Sequence, residues 1–294
     1  MNKSVLLIVS SIFCMLCSVH AEQESYSLEQ IFRMAITDVQ TEKSGQYAAS
    51  ASQTLKDLGP VIMPFLIQKL DHPLSPGQVR IQSLMTHWKS NAVPYLAQAY
   101  GVSTNQRTRR AIIYYLGLLR DPRGGPVAEK ELDNSRNRPL ALWAMGKCGM
   151  TQGISYAYTY ITSSNEMDRV RSIGLIRRVG SSNDVPLLAS VLNTDPAWNV
   201  RSAAARALYE EGSTACSHLT NVWPTLTTPA RIHTLSILSE VTNFYSAEVL
   251  KLYTSEQNTH IAAHAARLLK KEDPRIFQTL AIEIPEDKKW QYGL

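Results

Sequence analysis

The feature that most constrains the fold is a pattern that returns about every thirty residues: an Arg, then apolar side chains three, four and seven places later. With the Arg position as slot zero, the copies begin at Ala48, Arg80, Arg109, Arg138, Arg171, Arg201, Arg231 and Ala262. The successive spacings are 32, 29, 29, 33, 30, 30 and 31 residues. So even a period indicates a solenoid, in which each unit buries its apolar face only against its neighbours. Within a copy the spacing is helical. Ile112, Ile113 and Leu116 follow Arg109; Ala204, Ala205 and Leu208 follow Arg201; Ala265, Ala266 and Leu269 follow Ala262. Residues three, four and seven apart share one helix face, and small residues at the middle slots let a neighbouring helix approach closely.

Ahead of each such helix lies another apolar stretch, often opened by Pro: Val61 to Leu66 around Pro64, Ala92 to Leu96 around Pro94, and Asp184 to Leu188 around Pro186. Proline fits the first turn of a helix because its missing N–H has no partner there anyway. Asp71-His72-Pro73, Asp121-Pro122, Asp195-Pro196 and Asp273-Pro274 read as breaks between helices. No stretch alternates with period two over a useful length, so the chain reads as all-α, two helices per repeat. The leading helix of the first unit runs from Ser27, its N-cap, to about Val39, with a stripe of Leu28, Ile31, Phe32, Ala35 and Val39. A last helix around Ile276 to Ile282, ending in Glu286 to Lys289, suits a cap that meets water.

Val170-Arg171, Val200-Arg201 with Ala203 to Leu208, and Asp184-Val185-Pro186-Leu187-Leu188 carry a family likeness. The chain resembles the HEAT-like repeats first described in phycobilisome lyases, over nearly its whole length after the first residues. The resemblance implies a right-handed α-α superhelix of about eight two-helix repeats, first helices on the convex side and second helices lining the concave side. It implies packing and not chemistry. Departures from the pattern include Pro139 directly after Arg138, Ala262 in place of the Arg, and Ile154 to Tyr160, which lacks Pro and carries three Tyr.

The N-terminus sets an expectation about compartment. Lys3 precedes an almost unbroken apolar run from Val5 to Leu16, and Val19-His20-Ala21 suits signal peptidase. Residues 1–21 therefore read as a cleavable secretory signal, too short for a comfortable membrane span. Residues 22–294 then form one repeat domain, periplasmic or secreted, with no later stretch long and apolar enough to cross a bilayer. Phe13 and Leu16 are too large to precede a lipidated Cys14 or Cys17. Loss of the leader leaves 29 basic against 25 acidic residues. That excess is too mild and dispersed to argue for nucleic acid as a partner. Cys148 and Cys216 remain, in repeats that are not nearest neighbours, and read as buried thiols although the compartment permits a disulfide.

Three constellations are candidates for function. The first is the Arg ladder: Arg80, Arg109, Arg138, Arg171, Arg201 and Arg231. A cation in a first helical turn opposes the macrodipole, so the carbonyls ending the preceding helix are its expected partners; a row of anion sites is the alternative. The second is slot five, which faces away from the core slots and reads Met85, Tyr114, Trp143 and Ile176 in four successive repeats. Either these make an exposed apolar stripe, the mark of a binding surface, or superhelical packing buries part of them. Arg110 and Arg206 are charged neighbours. The third is Glu256, His260 and His264, four apart, which read as solvated because Thr259 looks like an N-cap and a metal needs three or four ligands. The iron-binding members of the class resembled use His-Glu pairs, and no His here is followed by Glu. Walker, dinucleotide and zinc-protease signatures are missing; Gly149 to Gly153 has a nucleophile-elbow spacing, but with Thr151 and no strand. The expected function is a non-enzymatic exported scaffold, without cofactor or metal, that binds a protein or peptide on its concave face. A small-molecule-binding or accessory enzyme subunit and an envelope-assembly component are the alternatives.

Overall fold

The structure, a computed structural model, describes residues 26–36, 42–69, 76–241, 250–251, 253–275 and 278. The leader, Val39, the break at 71–73 and all but residue 278 of the expected tail helix lie outside these residues. Among the described residues every regular element is helical. In chain order the α-helices are α1 (Leu28–Ile36), α2 (Glu42–Leu58), α3 (Met63–Gln68), α4 (Pro76–Trp88) and α5 (Val93–Val102). Then come α6 (Gln106–Leu119), α7 (Gly125–Glu129), α8 (Arg138–Lys147), α9 (Ile154–Tyr160) and α10 (Glu166–Val179). The series continues with α11 (Val185–Thr194), α12 (Trp198–Glu210), α13 (Ser213–Val222), α14 (Thr228–Glu240) and α15 (Thr259–Glu272). Pro64, Pro94 and Pro186 each occupy the second position of their helix, where no backbone donor is lost.

The chain divides into two compact units, the first holding α1, α2 and α4 and the second holding α3 and α5 onward. In the first, α1 packs on α2 and both touch α4. Ser27 and Gln30 bond reciprocally at the start of α1, Gln30 N to Ser27 Oγ at 3.3 Å and Ser27 N to Gln30 Oε1 at 2.7 Å. This capping box satisfies two donors the helix leaves open. The buried stripe of α2 is Ala48, Ala51, Ser52 and Leu55; that of α4 is Ile81, Leu84, Met85 and Trp88.

In the second unit, α6, α8, α10, α12, α14 and α15 form a row in which each helix touches the next. The first helices α5, α7, α9, α11 and α13 each pack on the second helix that follows them. The core stripes keep the three, four and seven spacing: Ile112, Ile113 and Leu116; Ala141, Leu142 and Met145; Thr234, Leu235 and Leu238; Ala265, Ala266 and Leu269 are all buried. The Tyr side chains of α9 tie neighbouring elements together: Tyr156 donates to Glu129 at 2.7 Å and Tyr158 to Asp184 at 2.6 Å. Cys148 and Cys216 are buried free thiols, raised by burial to about 12 and about 11.

Backbone hydrogen bonds correct the repeat register. The slot-zero amide bonds to the carbonyl four residues back, at the N-cap of the second helix: Arg109 to Asn105, Arg201 to Ala197, Arg231 to Thr227 and Ala262 to Asn258. In α10 the residue in that place is Arg169, bonded to Asn165 O at 3.3 Å, and not Arg171. Its core slots are Ser172, Ile173 and Ile176, all buried, so slot five of α10 is Gly174. In α4 the stripe starts at Ile81, one residue beyond Arg80, which turns Met85 inward.

Candidate functional site

The ladder Arg residues are held within the array. Arg80 Nε donates to Ala35 O in the last turn of α1 at 3.0 Å. Arg138 Nε donates to Leu132 O at 2.7 Å, Arg201 Nη1 to Asp195 O at 2.8 Å and Arg231 Nη2 to Pro224 O at 3.1 Å. The Leu132, Asp195 and Pro224 carbonyls each lie in the segment just before the second helix that carries the Arg, whereas Ala35 lies in α1. Three ladder side chains meet acids of the following repeat: Arg109 with Glu131 at 3.0 Å, Arg138 with Asp168 at 3.0 Å and Arg231 with Glu256 at 3.3 Å. Arg109, Arg138 and Arg231 also lie over Tyr100, Tyr160 and Trp223. Arg169 holds the α10 place, its fork bonding Asp195 at 2.7 and 3.0 Å and its Nη1 bonding Ser163 O at 2.9 Å. Arg171 therefore leaves the ladder. It is half-buried beside an open cavity, with no hydrogen bond or ion pair among the described residues, and burial lowers its pKa.

The slot-five stripe is shorter than the sequence suggests. Met85 is 1% exposed and Ile176 is 2% exposed, both core residues by the register above. Tyr114 is 39% exposed, and its ring stacks on Trp143 of the next second helix, centroids 5.7 Å apart and planes 12° off parallel. Gly117, one turn along α6 from Tyr114, makes this seat: a Cβ there would lie 2.3 Å from Trp143 Cζ3. Arg110 reaches past the pair to Arg136 O at 3.0 Å and Asn137 Oδ1 at 3.4 Å, joining α6 to the start of α8.

Beyond Trp143 the row opens. Slot five of α10 is Gly174, where a Cβ would meet nothing within 4 Å, and slot five of α12 is Arg206. The gap is part of a cavity of about 710 Å³ between α8, α10 and α12. It is lined by Trp143, Lys147, Arg171, Arg177, Arg178 and Arg206, with Glu166 as its acid. Lys147 lies 5.8 Å from the Trp143 ring centre, and burial with Arg178, Arg120, Arg177 and Arg171 nearby depresses its pKa. Arg178 is lowered by burial and then by Arg177. The sequence points to Arg206 as a neighbour of the stripe and to Arg171 only as a ladder residue; Lys147, Arg177 and Arg178 carry no such signal, because the convergence depends on the absent side chain of Gly174.

Glu256, His260 and His264 are not brought together. The N-cap is Asn258 and not Thr259: its Oδ1 accepts from the amides of His260 and Ile261. Glu256 lies before the helix and accepts from Trp223 Nε1, while His264 pairs with Ser236 at 3.3 Å. Among the described residues no group of three or more His, Cys, Asp or Glu is placed to hold a metal, and no helix is long and apolar enough to cross a membrane. Thr151–Gly153 is a 3₁₀ turn leading into α9.

No family model matches the chain, and no curated protein does. Among solved structures it is similar to the X-ray structure of YibA of Escherichia coli, at 14% identity over 92% of this chain and 97% of that one, with a TM-score of 0.50. It also matches human deoxyhypusine hydroxylase in complex with glycerol, at 16% identity over 90% and 93% of the two chains and a TM-score of 0.30. A third is the complex of CpcE and CpcF of phycocyanin lyase from Nostoc, at 17% identity over 94% and 96% and a TM-score of 0.28. The chain has the HEAT-like helical-repeat fold.

Proposed function

We propose that the protein is a non-enzymatic exported scaffold that holds a protein or peptide partner against the face of its second-helix row. The observation that carries this reading is the stacked Tyr114–Trp143 pair, seated on Gly117 and left accessible beside an open cavity. Aromatic side chains offer large contact area with few rotors to freeze, and they dominate interface energetics. The charged face of the cavity lacks a nucleophile paired with a base, so binding suits it better than turnover. Export rests on the Lys3 to Ala21 leader, which predicts a mature chain starting at Glu22.

A photo-crosslinking residue on α6 beside Tyr114, in the full chain expressed in its own cells, tests the reading. A discrete adduct that is lost in Tyr114→Ala/Trp143→Ala, with the helical circular dichroism unchanged, is the expected result. An adduct undiminished in that variant, or none in the wild type, overturns the aromatic anchor.

A further inference from the structure

The cavity beside Trp143 is the strongest unassigned feature of the molecule, and its chemistry is one-sided. Lys147, Arg171, Arg177, Arg178 and Arg206 converge on it from three helices against a single carboxylate, Glu166. Two of the charges at its rim are already satisfied, since Arg177 pairs with Glu210 of α12 and Glu166 accepts from Asn199 at 2.7 Å. Lys147, Arg171, Arg178 and Arg206 make no ion pair or hydrogen bond among the described residues, although Lys147 faces the Trp143 ring. Elsewhere the array pairs its buried cations carefully, as Arg109, Arg138 and Arg169 show. Lys147 and Arg171 are partly buried without a counter-charge, which costs free energy, and Arg178 and Arg206 stand exposed beside them, so the cavity marks a place where a ligand supplies the missing charge.

Deepening the scaffold reading, on which it rests, we infer that this cavity receives the carboxylate side chains of an acidic peptide segment of the partner, with an adjoining apolar residue of that segment against Tyr114 and Trp143. Arg side chains present planar forks that match carboxylates two bonds at a time. The cations are confined to about 710 Å³, room for a few side chains. That is unlike the long basic track a nucleic-acid backbone needs. Trp143 walls both the cavity and the aromatic pair, so one extended segment can reach both. Glu166 at the rim opposes a multiply charged phosphate more than a single carboxylate. Lys147 is depressed first by burial and then by the neighbouring Arg side chains, and a bound carboxylate offsets the second of these.

The test uses the full chain and a fluorescein-labelled tetraglutamyl-phenylalanine peptide, followed by anisotropy, with the tetralysyl peptide and inorganic pyrophosphate as comparisons. The acidic peptide binds, its affinity falls as salt is raised, and the tetralysyl peptide does not bind. Arg171→Gln/Arg178→Gln weakens it at least about tenfold, the loss expected for one charge-assisted hydrogen bond. Gly174→Glu fills the open space with the chain's own carboxylate and abolishes binding without disturbing a packed neighbour. No binding by the wild type, or binding undiminished in both variants, overturns the proposal. Pyrophosphate binding tighter than the peptide and indifferent to Tyr114→Ala overturns the peptide as occupant. If the crosslinked partner persists in Arg171→Gln/Arg178→Gln but is lost with Tyr114 and Trp143, the scaffold reading stands and the acidic-segment inference falls.

Discussion

The two glycines of the candidate site provide one substitution with opposite expected outcomes. Gly117 and Gly174 both lie inside helices, α6 and α10, where Ala is favoured over Gly by about 0.5–1 kcal/mol. At Gly174 nothing lies within 4 Å of the added Cβ, so Gly174→Ala should keep that full gain. At Gly117 the same Cβ falls 2.3, 2.9 and 3.0 Å from three ring carbons of Trp143. The ring must then leave its seat, and overpacking of this kind costs about 1–3 kcal/mol, which cancels or exceeds the helix gain. The two variants should therefore differ in stability by about 1–3 kcal/mol, or several degrees in Tm at about 2–4 °C per kcal/mol for a chain of this size. Urea unfolding followed by circular dichroism, with the slope compared among the three proteins, measures it. Gly117→Ala should also lose the exciton signal of the stacked Tyr114–Trp143 pair. Equal stabilisation by both substitutions would show that Trp143 does not rest on Gly117, and destabilisation by Gly174→Ala would show that the gap beside it is filled.

Three further outcomes follow from burial and charge. Cys148 and Cys216, with thiols pushed up to about 12 and about 11, should stay unreactive toward a disulfide reagent at pH 8 until the chain is unfolded, so rapid native-state labelling of either would contradict their burial. Asp195→Ala strands the fork of Arg169 and removes the acceptor of Ala197 N. It should cost about 3 kcal/mol in urea unfolding, and a loss below 1 kcal/mol would contradict a sequestered pair. His233 and His264 are lowered below 6.5, in both cases chiefly by burial, then by Arg201 for His233 and by Arg267 and His233 for His264. The unfolded chain then takes up protons first, so stability should fall as pH drops below about 6.5. A melting-temperature series from pH 7.5 to 5.5 should flatten in His233→Gln/His264→Gln, and an unchanged slope refutes the assignment.

Much of the fold is legible because solenoid packing repeats its demands. The three, four and seven spacing, the small residues between second helices and Pro at the second helical position each reflect a steric requirement met once per repeat. The register was lost where a local likeness competed with that spacing. Val170-Arg171 imitates Val200-Arg201, yet counting from Arg171 places Gly174, Leu175 and Arg178 in the core slots. Counting from Arg169 places Ser172, Ile173 and Ile176 there, as the structure does. Ile81 with Leu84, Met85 and Trp88 fits the α4 stripe better than Arg80 does for the same reason. The apolar spacing was thus the better guide than the Arg itself. The cavity was not legible in this way, since it arises from one missing side chain between helices that supply cations at unrelated slots.

The ladder also fixes the quantum in which such a chain can change length. Arg109, Arg138, Arg169 and Arg231 each hand their charge forward, to Glu131, Asp168, Asp195 and Glu256 of the next repeat. Within the second unit one junction is built differently: between Arg201 and the α14 repeat, Asn193 bonds Thr225 and Thr227, neutral group to neutral group. Between the charge-paired junctions, a segment excised or duplicated at equivalent slots leaves each donor facing an acceptor, whereas a cut at any other phase leaves a carboxylate without its cation. Whole repeats bounded by those charge-paired junctions are therefore interchangeable modules, and fractions of repeats are not.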